Sequence, residues 1–103
     1  MTPGFLQDPD AQLIAMFREE VDARLDVIDQ GLSREAPALD DLRREAHTLN
    51  GAAAMLGLID LAELASEMEG TLAGGLAAGT LTDAESAELR AASQRFRQLS
   101  AAA

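Results

Sequence analysis

The 103-residue chain has no cysteine, tryptophan, tyrosine or lysine, and only one histidine. Without cysteine there is no disulfide, zinc–thiolate or iron–sulfur site, and a single imidazole cannot build a multi-histidine metal centre. No EF-hand loop is present either; carboxylates alone are the ligands left open for a cation, and neither a metal nor a cofactor is expected. Two valines, three isoleucines and no alternating apolar run leave almost no strand signal. Positive charge is scarce: eight arginines face 18 acidic residues, for a net charge of −10. Such a surface repels nucleic-acid phosphate, which argues against a nucleic-acid partner. There is no long apolar run and no basic amphipathic segment, so no membrane association is expected. Met1-Thr2-Pro3-Gly4-Phe5-Leu6 lacks a charged region and an apolar core, does not read as a signal peptide, and leaves a cytoplasmic protein as the expectation. No glycine-rich phosphate loop or dinucleotide turn occurs, so the chain does not carry a kinase catalytic domain of its own.

What is present is helical periodicity. Asp8-Pro9-Asp10 reads as a helix start, with Asp8 as cap and Pro9 in the first turn. Ile14, Phe17, Val21, Leu25, Ile28 and Leu32 then recur at three- and four-residue steps, while Glu19, Asp22, Asp26 and Asp29 form what reads as a solvated stripe. Gly31 through Pro37 break the pattern. A second helix is predicted from about Pro37 to Leu56 on a heptad seam of Leu39, Leu42, Ala46, Leu49, Ala53 and Leu56, ended by Gly57 as a left-handed cap. A third is predicted from Ile59 to about Gly79 on Leu61, Leu64, Met68, Leu72 and Leu76. Its glycines Gly70, Gly74 and Gly75 either permit close packing or fray the end. Thr82-Asp83-Ala84-Glu85 is a capping box for a fourth helix with Leu89, Ala92, Phe96 and Leu99 inward. The expected fold class is all-α, an antiparallel up-down-up-down four-helix bundle closed as a monomer. Residues 1–7 read as a flexible lead, 8–100 as the bundle and 101–103 as a loose tail.

The histidine occupies an unusual place. On the helical wheel His47 lies roughly 130° from the mean direction of its own seam, which turns the ring outward. Its neighbours one turn away are Arg43 and Arg44 on one side and Asn50 and Gly51 on the other, with Ala54 further along the strip. A glycine inside a helix costs about 1 kcal/mol against alanine, and here no turn demands it. Room for a partner backbone or a phosphoryl group would account for it. A lone outward histidine is ordinarily a plain surface residue; the conjunction of ring, arginines and glycine is what makes this stretch a candidate site.

Ala46-His47-Thr48-Leu49-Asn50-Gly51, followed by Ala52-Ala53-Ala54-Met55-Leu56-Gly57 and by Leu61-Ala62-Glu63-Leu64-Ala65 through Met68-Glu69, resembles the histidine-containing phosphotransfer (HPt) domains of bacterial two-component phosphorelays. The alanine-rich wording is also similar to the phosphoacceptor domain of chemotaxis-type histidine kinases. The close resemblance covers about residues 42–72. It implies that His47 accepts a phosphoryl group on a ring nitrogen, Nε2, and exchanges it with a receiver-domain aspartate of a response regulator or takes it from a histidine kinase. Any Mg²⁺ would then belong to the receiver or to ATP. The family motif carries lysine where this chain has Asn50, so Arg43 and Arg44 are the candidates for countering phosphoryl charge. Glu69 stands where some kinase-linked members place a glutamate that hydrogen-bonds the imidazole, which would leave Nε2 as the nucleophile. The supporting and docking set implied is Arg43, Arg44, Asn50, Gly51 and Ala54, with Glu69 behind the ring. The residues leave open an HPt-like interaction module that binds and regulates a receiver or kinase without chemistry. A small helical enzyme fits less well, because no second positioned acid or base accompanies His47 and Glu69.

Overall fold

A computed structural model of the chain describes residues 9–103; the expected cap Asp8 and the N-terminal lead lie outside them. Among the described residues there are four α-helices and no strand. They are α1 (Pro9–Leu32), α2 (Leu39–Met55), α3 (Ile59–Ala78) and α4 (Asp83–Ala102). Each packs on its neighbours in sequence and α1 also packs on α4, which closes the up-down-up-down ring. No helix among the described residues is long and apolar enough to cross a membrane.

The core follows from the apolar stripes. Phe17, Val21, Leu25, Ile28 and Leu32 of α1 meet Leu39, Leu42, Ala46, Leu49 and Ala53 of α2, Leu61, Ala65, Met68 and Leu72 of α3, and Leu89 and Phe96 of α4. The rings of Phe17 and Phe96 sit 6.5 Å apart at 48°, a tilted pair that bridges the first and last helices. On α3 and α4 the buried stripe differs from the one expected. Gly75 is buried where Leu76 was expected to point inward, and Leu76 is exposed. Ser93 and Ser100 are buried on α4 while Ala92 and Leu99 pack at the margin. The reason is room: a Cβ on Gly75 would run into Leu81 and Leu39, so this glycine lets the 79–82 connection fold over the bundle end. Gly31 likewise leaves room, here for the Leu42 side chain of α2. The third helix does not fray at its glycines, since it continues to Ala78 and closes on Gly79 at φ 89°.

The acidic stripe of α1 is not merely solvated. Arg97 of α4 reaches Asp29 at 2.8 Å and Asp26 at 2.6 Å, and buried Ser93 joins the cluster through its hydroxyl to Asp29. On the opposite edge Arg24 ties Glu20 and Glu45 at 2.7 and 2.8 Å, clasping α1 to α2. Burial opposes the charge on Arg97, but the hydrogen bonds and charges of Asp29 and Asp26 outweigh it and raise the guanidinium's pKa. A raised arginine pKa contributes stability that is lost only at extreme alkaline pH, so the guanidinium keeps its charge in this clasp at neutral pH. The end of α4 is likewise held. Arg18 donates to the carbonyl of Ser100 at 3.1 Å and to that of Ala103, and helix persists to Ala102 where a loose tail was expected. The α4 start is the capping box read from sequence, with Thr82 Oγ1 accepting from the Glu85 amide at 3.1 Å and Glu85 accepting from the Thr82 amide at 2.8 Å.

The α2–α3 turn is the tightest joint. The Leu58 amide donates to the Ala53 carbonyl at 2.9 Å and the Gly57 amide to the Ala54 carbonyl at 3.1 Å, with Gly57 at φ 72°. This is a Schellman closure, which needs a left-handed residue at the position of Gly57. Gly57→Ala is expected to lower unfolding free energy by about 1–2 kcal/mol, the cost of forcing an L-residue into that region. Phe96→Ala is expected to cost about 3–5 kcal/mol. Urea titrations followed by far-ultraviolet circular dichroism check both, and an unchanged midpoint for either would contradict the account of that position.

Candidate functional site

His47 is carried mid-helix by α2 and points away from the core, with its side chain 69% exposed. The residues just before and two after it, Ala46 and Leu49, are fully buried, so the ring rides on a backbone that is anchored on its inner side. The α2–α3 packing brings Glu69 opposite it. Nδ1 of His47 lies 2.8 Å from Oε2 of Glu69, whose side chain is only 22% exposed. An ionised carboxylate can only accept, so in the neutral ring the proton sits on Nδ1. Nε2 then carries the free lone pair, and no other group among the described residues bonds to it.

The other residues singled out from sequence share α2 with the ring, but they do not do the same thing. Arg43 Nη1 comes within 3.8 Å of the Glu69 carboxylate. Its other contacts are with Asp40, whose Oδ1 accepts from Nε at 3.3 Å and from Nη2 at 3.0 Å. Arg44 also goes to Asp40, at 2.9 Å, and is largely exposed. Neither guanidinium makes a hydrogen bond to the imidazole. Asn50 is half-buried one turn further on. Gly51 is exposed, and a Cβ there would meet nothing within 4 Å. It is therefore not a packing glycine: the space it opens faces outward. Ala54 is exposed beyond it, followed by the highly exposed Met55 and, across the turn, the exposed Ile59. The ring is thus bordered by charge toward the start of α2 and by small and apolar groups toward its end.

Asp40 escaped the sequence reading. Its signal was available in the spacing, because residues three and four positions before Arg43 and Arg44 share their helix face. It was hidden by its second role, since acidic residues are expected anyway in the first turn of a helix.

A family model described as Hpt domain matches residues 12–101. The chain belongs to the Hpt domain family. No curated protein and no solved structure gives a match. The Hpt match spans all but the ends of the bundle, and it makes this chain a histidine phosphotransfer module of the phosphorelay class. Its fold is the four-helix bundle that the apolar spacing implies.

The hydrogen bond between ring and carboxylate can be tested without any partner. As this Hpt domain has one histidine, the ring nitrogens give two resolvable ¹⁵N resonances. In the wild type at neutral to alkaline pH they are expected to report a dominant Nδ1–H tautomer; in Glu69→Ala the preference is expected to relax toward the mixture of a free imidazole. Identical ¹⁵N shifts in the two proteins would show that Glu69 does not hold the ring.

Proposed function

We propose that this domain carries a phosphoryl group on Nε2 of His47 and exchanges it with the aspartyl phosphate of a receiver domain or accepts it from a histidine kinase. The observation that carries the reading is the Glu69 carboxylate, 2.8 Å from Nδ1, behind a ring whose other nitrogen is open. The Nε2 lone pair attacks phosphorus, the bond from phosphorus to the receiver carboxylate oxygen breaks, and the carboxylate departs as an anion. The ring becomes an imidazolium with the phosphoryl on Nε2 and the proton still on Nδ1. Glu69 faces that new positive charge and stabilises it. Because the proton stays on Nδ1, the imidazole remains a good leaving group, and the phosphoryl can move on to a second carboxylate by the reverse step.

Around the ring, Gly51 and Ala54 give clearance for the walls of a receiver's acidic pocket, and Met55 and Ile59 offer apolar area beside them. Asn50 supplies a hydrogen-bond donor in place of a cation, while Arg43 and Arg44 supply charge from the other side. The partner class that fits is an acidic receiver surface with a protruding aspartyl phosphate.

Incubation with phosphorylated receivers from the source genome tests the reading. Wild-type protein is expected to acquire an acid-labile, alkali-stable label, and His47→Gln to acquire none while keeping its helicity. Label retained in that variant would refute the role of His47, and equal regulation of a partner by wild type and His47→Ala would instead favour a binding module. Arg43→Ala combined with Arg44→Ala is expected to slow transfer in a salt-sensitive way; an unchanged rate would make the arginines bystanders. Gly51→Ala separates docking from folding. It is expected to raise stability by up to about 1 kcal/mol through helix propensity, yet to slow transfer; a variant both more stable and equally fast would remove the clearance argument.

A further inference from the structure

Asp40 lies about two turns before the ring, yet it holds both cations near it. Its two carboxylate oxygens are divided between them: Oδ1 holds Arg43 at 3.0 Å and Oδ2 holds Arg44 at 2.9 Å. Arg43 spans the distance from Asp40 to the carboxylate that grips the imidazole, ending 3.8 Å from Glu69. Among the described residues, the ion-paired groups linked to the ring are therefore Asp40, Arg43 and Arg44 on α2 and Glu69 on α3. Asn50, one turn to the other side, adds none.

We propose that Asp40 is a positioning residue that parks Arg43 and Arg44 along α2 and so sets how much positive charge a phosphoryl group on His47 meets. The inference rests on His47 being the phosphoacceptor. The physical basis is competition. Asp40 is 46% exposed, its pair with Arg44 is open to solvent and its pair with Arg43 is only part-buried, and ion pairs this exposed are weak. A phosphoryl group brings more negative charge than a carboxylate and three acceptor oxygens, which suit a guanidinium fork. Phosphorylation thus offers the arginines a better anion one turn along the same helix face. Asp40 opposes the move and limits the stabilisation of the phosphorylated state. A carrier that must release its cargo gains from such a brake, since cations clamped on the phosphoryl would deepen the well from which it has to leave.

The test uses the whole domain and phosphoramidate as phosphodonor, so no partner protein is needed. Nε2 attacks phosphorus, the bond from phosphorus to the amino nitrogen breaks, ammonia leaves, and the ring keeps its Nδ1 proton beside Glu69. A ³¹P titration then reads the second ionisation of the phosphoryl group, which nearby positive charge moves downward. Asp40→Asn is expected to shift it down relative to wild type, and Asp40→Glu to return it toward the wild-type value. The removal of a negative charge alone would also act in this direction, so the decisive comparison is Asp40→Asn in the background of Arg43→Ala and Arg44→Ala. There the downward shift is expected to disappear for the most part. An equal shift in both backgrounds, or none in either, would overturn the proposal. No phosphohistidine resonance in wild-type protein would overturn the phosphoacceptor reading itself. All substitutions lie on the exposed side of α2, and circular dichroism verifies that each variant is folded.

Discussion

The register of α2 against α3 is the constraint on which the site depends. Two helices joined by a tight turn have one antiparallel alignment available, and the Schellman closure at Gly57 fixes where it begins. Ala46 and Ala53 on one helix and Ala65 on the other keep the shared face slim, while Leu49, Leu61 and Met68 fill between them. This pair is the most extensively packed in the bundle. A slip of one residue in that alignment would rotate Glu69 away from the imidazole. The hydrogen bond at 2.8 Å is thus a reading of a turn two helical turns and more from it.

Much of this architecture was legible in the residues, and the parts that were not share a cause. Leu39 through Ala53 kept a strict three-and-four pattern, and the α2 core agrees with it residue by residue. Thr82 and Glu85 stated the start of α4 in their own spacing. The outward turn of His47 followed from wheel geometry alone. What periodicity did not show were pairings between distant segments. Asp26 and Asp29 looked solvated because their partner, Arg97, lies about seventy positions further along. Ser93 and Ser100 took core positions that a hydrophobic count awards to Ala92 and Leu99; Ser93 is satisfied by Asp29, a bond visible only once α1 and α4 are side by side. Gly75 is buried for a similar reason, since the side chain it accommodates, Leu81, comes from the following connection. Around the ring the same limit applied: Glu69 could be set beside His47 from the sequence, but the division of both arginines to Asp40 was a matter of rotamers.

The helical glycines divide by what surrounds them. Gly31 and Gly75 sit beneath leucines, and their lack of a side chain is used inside the bundle. Gly51, Gly70 and Gly74 face open space, and nothing among the described residues fills it. Gly51 alone of these three stands one turn from the imidazole, which is why the proposed docking reading draws on it. Local choices that weaken a fold without an internal benefit are where contact with another molecule is to be sought.

The ring's seat has one further implication. His47 is borne by the middle of a helix whose inner side is locked into the core, with no loop beside it among the described residues. A chemical change at the outer nitrogen therefore has no backbone element at hand to displace. In the reading proposed above, the loaded form would then differ from the empty one in the phosphoryl group and in the arginine side chains around it, on a backbone that the core holds in place.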